Sequence, residues 1–562
     1  MKDSDRRLMW GYGPALVILG GLLLVALLVP SVAPEQVVSS AGPSSFNSSG
    51  AGATGQPGTG QSAGGSGAVP GGAAVPGAGR SGSSAVTPTG GLPTAPSGKV
   101  TACSGTQVHG DPYAPPCVSF SGSNGGATSK GVSANSIVVS YRITTDDVSS
   151  TDAAIQTLAG KYNKSEFSDT DADLERTLSD LVVYFNQHFQ FYGRKLVLSQ
   201  FHGQGSLATE ITDGGQANAN ADALTVARSI KAFADVTGLT QPYAEALSNN
   251  GVVNIGSPYM SLPWYQQHAP YAYSFFPNCS DLAAEGAAVV VKQMLPQKVT
   301  WAGTGVKDGQ ARRYAVLAPD NPVYQSCAAI VTKAMQAAGH PPVANLSYTL
   351  DLSQLSQEAS SIEQQIVNDK ITTVLCGCDP ITLIYLTGDL DNAGYEPEFS
   401  NIGAAFTDED LLAQLMDQSS WAHAMGETNN GTIPSYGASL GYFAAKSVDP
   451  THAPARAVDT IYEDLYLLAL GIQGAGPDLT PQTFEHGLWS YAGGSGEYGP
   501  WSFVDRGAGS WTPQHQFRYE WWNPNGTSPF NGEQGTWVVG SSWYTADTVS
   551  AGPPPVFPKG PQ

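Results

Sequence analysis

The feature that most restricts the fold is an alternation of short β-branched runs with helical repeats, which begins near Ser133 and starts again near Ser280. Ile137-Val138-Val139 is a brief β-branched run. Leu174, Leu178, Leu181, Val182, Phe185 and Phe189 then recur at helical spacing, and Gly193 stops the helix. Lys195 to Phe201 reads as the next strand, and Asn220 as the cap of a helix from Ala221 to Lys231. Phe233 to Thr237, ending in Gly238, reads as a strand, Pro242 to Ser248 as a helix, and Val252 to Ile255 as another strand. Such an order implies an α/β fold, with a mostly parallel sheet covered by helices on both faces.

The pattern then restarts. Ser280 is placed to cap a helix that runs to Leu295 and is ended by Pro296. Tyr314 to Ala318, Leu346 to Leu350 and Thr372 to Cys376 read as strands. Helices are predicted at Val323 to Ala338, around Leu355, Ile362, Ile366 and Val367, and from Ile381 to Thr387. Two doubly wound parallel-sheet lobes joined by a hinge follow: lobe 1 over 133–277, lobe 2 over 278–402, and a return segment over 403–540 that contributes to both. In the return segment, Asp408 to Trp421 is predicted helical, and Pro454 opens a long helix with Val458, Ile461, Leu465, Leu468 and Ile472 on one face. Thr480 to Tyr491 reads as a further helix, and Phe503-Val504 and Phe517 to Trp521 as late strands, before a tail over 541–562. In parallel sheets ligands sit beyond the carboxyl ends of the strands, so two facing lobes make one cleft.

Ahead of the lobes the composition is different. Residues 39–97 are dominated by Gly, Ser, Pro, Ala and Thr, so burial cannot repay the entropy of ordering them. Residues 30–98 read as a disordered linker, and 99–132 as a lead-in bridged by Cys103 and Cys117. Leu8 to Val29 carries no charge and is long enough to cross a bilayer as one transmembrane helix. Lys2, Arg6 and Arg7 precede it and keep the N-terminus, 1–7, in the cytoplasm. A cleaved signal peptide is the alternative: Ser31-Val32-Ala33 has the small-residue pattern, with Pro34 directly after it. Both readings export everything downstream. Six cysteines fit an oxidising compartment, and Cys279, Cys327, Cys376 and Cys378 allow three pairings. The formal charge of −21 argues against nucleic acid, which demands a basic face.

Several short stretches resemble type 1 periplasmic binding proteins, and in particular the Leu/Ile/Val-binding class that serves ABC importers. Thr237-Gly238-Leu239-Thr240-Gln241-Pro242 is similar to that family's strand-to-helix turn around the ligand. Gly251 to Pro258 is similar to the next strand and its cleft loop, and Asp320-Asn321-Pro322-Val323-Tyr324 to the turn that sets an aromatic ring in the cleft. Cys376-Gly377-Cys378-Asp379-Pro380 falls at the next cleft loop of the second lobe. In architecture the resemblance covers Ser133 to Trp522.

It implies ligand contacts from Thr237, Gly238, Leu239, Thr240, Ser257, Pro258, Tyr259, Tyr324, Asp379 and Ala405. Helix N-termini would supply N–H groups for an anionic or carbonyl group, and Tyr259, Trp264, Tyr265 and Tyr324 flat walls. It further implies a small-molecule ligand, a membrane ABC permease as partner, a monomer on the outer side of the cell membrane, and neither cofactor nor metal. One departure stands out. Amino-acid-binding members place a Glu in the loop that crosses back between the lobes; here that loop is Ile402-Gly403-Ala404-Ala405-Phe406, without a carboxylate. An unpaired buried ammonium is costly, so an α-amino acid is not the default ligand. Asp379 or Asp408 could substitute.

Other classes are weaker. Gly437-Ala438-Ser439-Leu440-Gly441 matches the G-x-S-x-G elbow, and Asp459 and His486 follow in hydrolase order. Pro434 spoils the strand such an elbow needs, and Gly60-Gln61-Ser62-Ala63-Gly64 repeats the pattern by chance. Asp169, Asp171 and Asp173 alternate as in a calcium loop, but Leu174 and Asp180 stand where Gly and Glu are required. A sensory ectodomain of the same fold would have to signal through another protein, because about seven residues precede the apolar segment.

Overall fold

The computed structural model describes residues 97–146, 169–212, 214–257, 259–351 and 353–552. The apolar segment 8–29, the linker up to residue 96, Pro258 and the last ten residues lie outside the described residues. Among the described residues no helix is long and apolar enough to cross a membrane.

An antiparallel hairpin, β1 (Ser97–Thr106) and β2 (Pro116–Ser123), opens the described chain, and the Cys103–Cys117 disulfide ties its two strands. The first sheet follows: β3 (Ser136–Ile143), β4 (Lys195–His202), β5 (Ala234–Asp235), β6 (Val253–Ile255) and β7 (Ala272–Tyr273). Its order is β4-β3-β5-β6-β7 and every pairing is parallel. Ile137 and Val139 of β3 are fully buried, as period-2 alternation on a covered face requires. The helix Asp171–His188 starts in a capping box between Thr170 and Asp173 and buries Leu178, Leu181, Val182 and Phe185 against this sheet.

The second sheet is built from β8 (Tyr314–Pro319), β9 (Ala344–Tyr348), β10 (Thr373–Cys376), β11 (Glu398–Asn401) and β12 (Ala424–Thr428), all parallel. Between them and the final strands lies a short hairpin of β13 (Gly494–Gly496) and β14 (Gly499–Trp501). The last two strands, β15 (Arg518–Thr527) and β16 (Gln534–Val539), extend the second sheet antiparallel, giving the order β16-β15-β12-β11-β10-β8-β9. The chain after residue 402 therefore enters both units: β12, β15 and β16 complete the second sheet, while the helices Val458–Ala475 and Pro481–Trp489 pack into the core of the first.

The structure corrects several local expectations. Asn220 caps nothing; it lies inside the helix Gln216–Leu224, which begins after left-handed Gly215 and continues as a π-helical turn to Ile230. Asn278, not Ser280, caps the helix Cys279–Val289, because its side chain reaches the Asp281 N–H; Ser280 Oγ instead accepts the Leu262 N–H. The stretch Asp408 to Trp421 is broken into two turns, Asp410–Ala413 and Gln418–Trp421, where Asp417 accepts the Ser419 and Ser420 N–H groups. Phe503-Val504 forms no strand, and the long helix of the return segment begins at Val458, beyond Pro454. That helix is not one-sided. Every residue from Tyr462 to Gln473 is buried, the pattern of a helix enclosed on all sides. The remaining cysteines pair as Cys279–Cys327 and Cys376–Cys378.

Enclosure of this helix depends on a glycine contact. A Cβ placed on Gly487 would stand 2.4 Å from the Ala475 nitrogen and 2.6 Å from the Gly474 carbonyl carbon, both backbone atoms. Gly487→Ala therefore forces the two helices apart and is expected to cost about 1–3 kcal/mol, read as a lower urea midpoint at unchanged slope.

Buried carboxylates give the fold a pH dependence. Glu427 on β12 is 1 % exposed, neither of its carboxylate oxygens has a partner, and burial pushes its pKa up to about 8. Asp408 is pushed up to about 6 by burial, against the hydrogen bonds it accepts from Thr428 and Asn430. The folded state holds protons that the unfolded chain releases near pH 4, so stability is lost as pH rises from about 4 towards 8. The urea midpoint is expected to be lower at pH 8 than at pH 5, and Glu427→Gln to remove only part of that slope, because burial also pushes Glu409 up to about 8 and raises Glu285, Glu463, Asp464 and Glu520.

Candidate ligand-binding cavity

Parallel pairing aims the carboxyl ends of β5, β6 and β7 at one place, and the loops that leave them carry Leu239, Thr240 and Gln241, then Tyr259 and Met260, then Phe276. From the second sheet, Leu317 to Pro319 end β8, Gly377 to Asp379 follow β10, and Ile402 follows β11. These loops face a common cavity of about 540 Å3, closed further by Tyr324, by Ala404 to Phe406 and by Ala283, Gly286 and Val290 on the chain that connects the sheets. This is the size of a small-molecule site.

The wall is largely hydrocarbon. Tyr259, Phe276 and Phe406 form an aromatic corner, with ring centroids 5.3 Å apart for Tyr259 and Phe276 and 4.9 Å for Phe276 and Phe406. Backbone strain is concentrated here: Tyr259 (φ 58°), Ala405 (φ 53°) and Phe406 (φ 62°) all adopt left-handed conformations without being glycine. Conformations of this kind cost roughly 1–3 kcal/mol each and cluster at ligand sites.

The carboxylates at the cavity are engaged from behind. Glu210 is 1 % exposed and is gripped by Arg142, with Nη1–Oε1 at 2.8 Å and Nη2–Oε2 at 2.7 Å. Thr240 donates to the same Oε2 at 2.5 Å, Arg142 also reaches Asp222 at 3.2 Å, and its guanidinium lies 3.6 Å from the Tyr243 ring centre. Asp379 caps the helix Pro380–Ala393: Oδ1 accepts the Ile381 and Thr382 N–H groups, and Oδ2 accepts Thr382 Oγ1. Gln241, at the start of the helix Gln241–Asn249, accepts a hydrogen bond from Asn321 at 3.3 Å. Asn321 caps the helix Pro322–Ala337, so this bond links the two units across the cavity.

Of the positions singled out in the sequence, Leu239, Thr240, Tyr259, Tyr324, Asp379 and Ala405 line the cavity. Thr237, Gly238 and Ser257 do not. Thr237 Oγ1 donates to Asp235 and accepts the Arg142 N–H, Gly238 backs onto Asn254, and Ser257 Oγ donates to Asn254. Trp264 and Tyr265 are also absent from the wall: Trp264 Nε1 binds Glu245 and the Tyr265 hydroxyl binds the Ser257 carbonyl. Sequence reading missed Glu210, Met260, Phe276 and the Ala283 face. Phe276 follows the two-residue strand β7, too short to register as a period; the rule of strand carboxyl ends would have found it.

Ser439 is 1 % exposed and caps the helix Leu440–Val448, accepting the Tyr442 N–H, and Asp459 hydrogen-bonds with it, while His486 stacks beside Trp489. Asp169 accepts the backbone N–H groups of Arg456 and Ala457, and Asp173 closes the capping box. Among the described residues no group of three or more His, Cys, Asp or Glu side chains is arranged to hold a metal ion.

No protein-family model matches the sequence, and no curated protein matches it. Solved structures do. An ABC-transporter substrate-binding protein of Aeropyrum pernix is 13 % identical, with a TM-score of 0.51 over 74 % of this chain and 97 % of its own. A solute-binding protein of an ABC transporter from Rhodopseudomonas palustris, in complex with 3,4-dihydroxybenzoic acid, is 10 % identical, with a TM-score of 0.50 over 73 % and 98 %. A fatty acid ABC-transporter substrate-binding protein from Thermomonospora curvata is 11 % identical, with a TM-score of 0.50 over 75 % and 96 %. The chain has the α/β fold of type 1 periplasmic binding proteins, and its parallel sheets match theirs.

The ion pair behind the cavity is a structural requirement. Glu210→Ala leaves the Arg142 guanidinium buried with only the longer Asp222 contact, and is expected to lower unfolding free energy by on the order of 3 kcal/mol in urea titration.

Proposed function

We propose that the chain is an extracytoplasmic solute-binding protein that captures a small molecule between two lobes and presents it to an ABC permease in the membrane. The observation that carries this reading is the 540 Å3 cavity at the strand carboxyl ends of both sheets, with walls drawn from each. The solved relatives are transport binding proteins, and the one from Rhodopseudomonas palustris holds an aromatic acid. Residues 8–29 would hold the protein at the membrane and 30–98 would give it reach to a permease.

In this reading solute enters while the lobes are apart, settles on one wall, and the second lobe closes over it by hinge motion. The Gln241–Asn321 hydrogen bond is a contact made in the closed form, and the aromatic corner supplies the surface that solute covers. No chemical step is required of the protein, and the ligand contacts fall to Leu239, Thr240, Tyr259, Tyr324, Asp379 and Ala405.

A bound solute raises the melting temperature by mass action and shrinks the radius of gyration in small-angle scattering. Tyr324→Ala and Phe406→Ala are each expected to weaken the best ligand about tenfold, the equivalent of 1.4 kcal/mol. Unchanged affinity in both variants would place the ligand elsewhere.

A further inference from the structure

The charged groups that reach the cavity are few, acidic and already hydrogen-bonded, which limits what can lie in it. Among the described residues lining it there is no Lys, Arg or His. A carboxylate or phosphate would find no cation among these residues. Two carboxylates do line it, Glu210 and Asp379, and the protein's own donors already engage both. Both oxygens of Glu210 are held by Arg142, and Thr240 adds a third bond. Both oxygens of Asp379 accept hydrogen bonds from its own helix.

The helix N-termini, the other charge-reading device of a parallel sheet, are blocked as well. Three helices that begin at or beside the cavity, at Gln241, Pro322 and Pro380, carry Pro in the first or second position, where the N–H is missing, and two more whose first residues line it, at Cys279 and Leu355, carry an acidic residue in the first turn, Asp281 and Glu358. Asn321 accepts the Val323 N–H at 2.7 Å, and Asp379 takes those of Ile381 and Thr382. At the helix from Gln241, Glu210 and Asp222 share the one Arg142 guanidinium, and the net negative charge left behind the Thr240 cap disfavours a further anion. A dipole site for an anion needs exposed N–H groups and no competing negative charge, and none of these helices offers both.

We infer that the ligand of this cavity is an uncharged, hydrocarbon-rich molecule, of the class of medium-chain alcohols and esters, rather than a zwitterion or a carboxylate. The inference rests on the reading of the cavity as a solute site. A volume of 540 Å3 equals that of about 18 waters at roughly 30 Å3 each, more room than an amino acid such as leucine needs and enough for a medium-chain alcohol or ester. The apolar lining from Met260, Phe276, Val290, Leu317, Ile402 and Phe406 matches that content, and Thr460 brings a hydroxyl to the wall for one polar tip. Burying a formal charge here without a partner would cost far more than the apolar contacts return.

The test is equilibrium dialysis of the full-length chain in amphipol against amphipol alone, with labelled 1-dodecanol, dodecanoate and leucine as probes at pH 8. Dodecanol is expected to bind at least tenfold more tightly than either charged probe. Dodecanoate should gain as pH falls towards its own pKa, because only the protonated acid is neutral. In Ala405→Lys, which sets a cation on the cavity wall, the preference should shift at least tenfold from dodecanol towards dodecanoate. Binding of leucine or of ionised dodecanoate as tight as that of dodecanol would overturn the inference and leave the solute-binding reading standing. Binding of none of the three, together with no melting shift across amino acids, aromatic acids and sugars, would remove the solute-binding reading and the inference with it.

Discussion

Parallel pairing puts the carboxyl end of every strand on one edge of its sheet, and in this protein two such edges meet. Everything at the cavity follows from that constraint. The loops after β5, β6 and β7 supply one wall and those after β8, β10 and β11 the other, so residues far apart in the chain share one space. A parallel sheet needs both faces covered, and the return segment provides cover that the first pass of the chain lacks. The helix Val458–Ala475 is enclosed on all sides within the core of the first sheet, while β12 and β15 pair in the second. The two units are thereby tied by chain crossing as well as by contact.

The cavity combines strain with neutrality. Three non-glycine residues hold left-handed backbone at its aromatic corner, a cost that the surrounding packing must offset. Behind the wall, Arg142 is buried between Glu210 and Asp222 and stacked on Tyr243. Such a buried pair is weak as a source of stability but severe when broken, because it leaves a charge without water or partner. Its effect at the cavity is to present a carboxylate whose two oxygens are already hydrogen-bonded. The fold is shared with binding proteins for very different solutes, so chemistry of this kind at the walls, rather than the architecture, sets what is bound.

Much of the architecture was legible in the residues. The helix around Leu178, Leu181 and Phe185 shows its period plainly because one face is buried and the other wet. The Cys103–Cys117 pair follows from a short intervening loop. Elements that carry no period were not legible. β5 and β7 are two residues long, and β16 follows a stretch rich in Pro and Gly. Cap residues misled where two candidates compete: Asn278 and Ser280 both suit a cap, and only the geometry of the Asp281 N–H decides between them. At the cavity the family resemblance reached Leu239, Thr240, Tyr259, Tyr324, Asp379 and Ala405, since loops after strands recur in order along the chain. Thr237, Gly238 and Ser257 lie outside the cavity lining and turn into the first unit, towards Asp235 and Asn254.

Composition and periodicity settle what is local: an α/β chain in two repeats, cysteines suited to an oxidising compartment, an acidic balance, and a membrane-length apolar segment near the start. Those properties depend on neighbours within a turn or a strand, so a linear reading recovers them. The character of the cavity does not. Sequence shows Ala404-Ala405 without a carboxylate and Glu210 with one, and says nothing of which charges survive. Arg142 and Glu210 stand 68 positions apart, and Gln241 and Asn321 stand 80 apart. Electrostatic pairing acts through space at a few ångströms, and only the folded chain brings those groups within that reach.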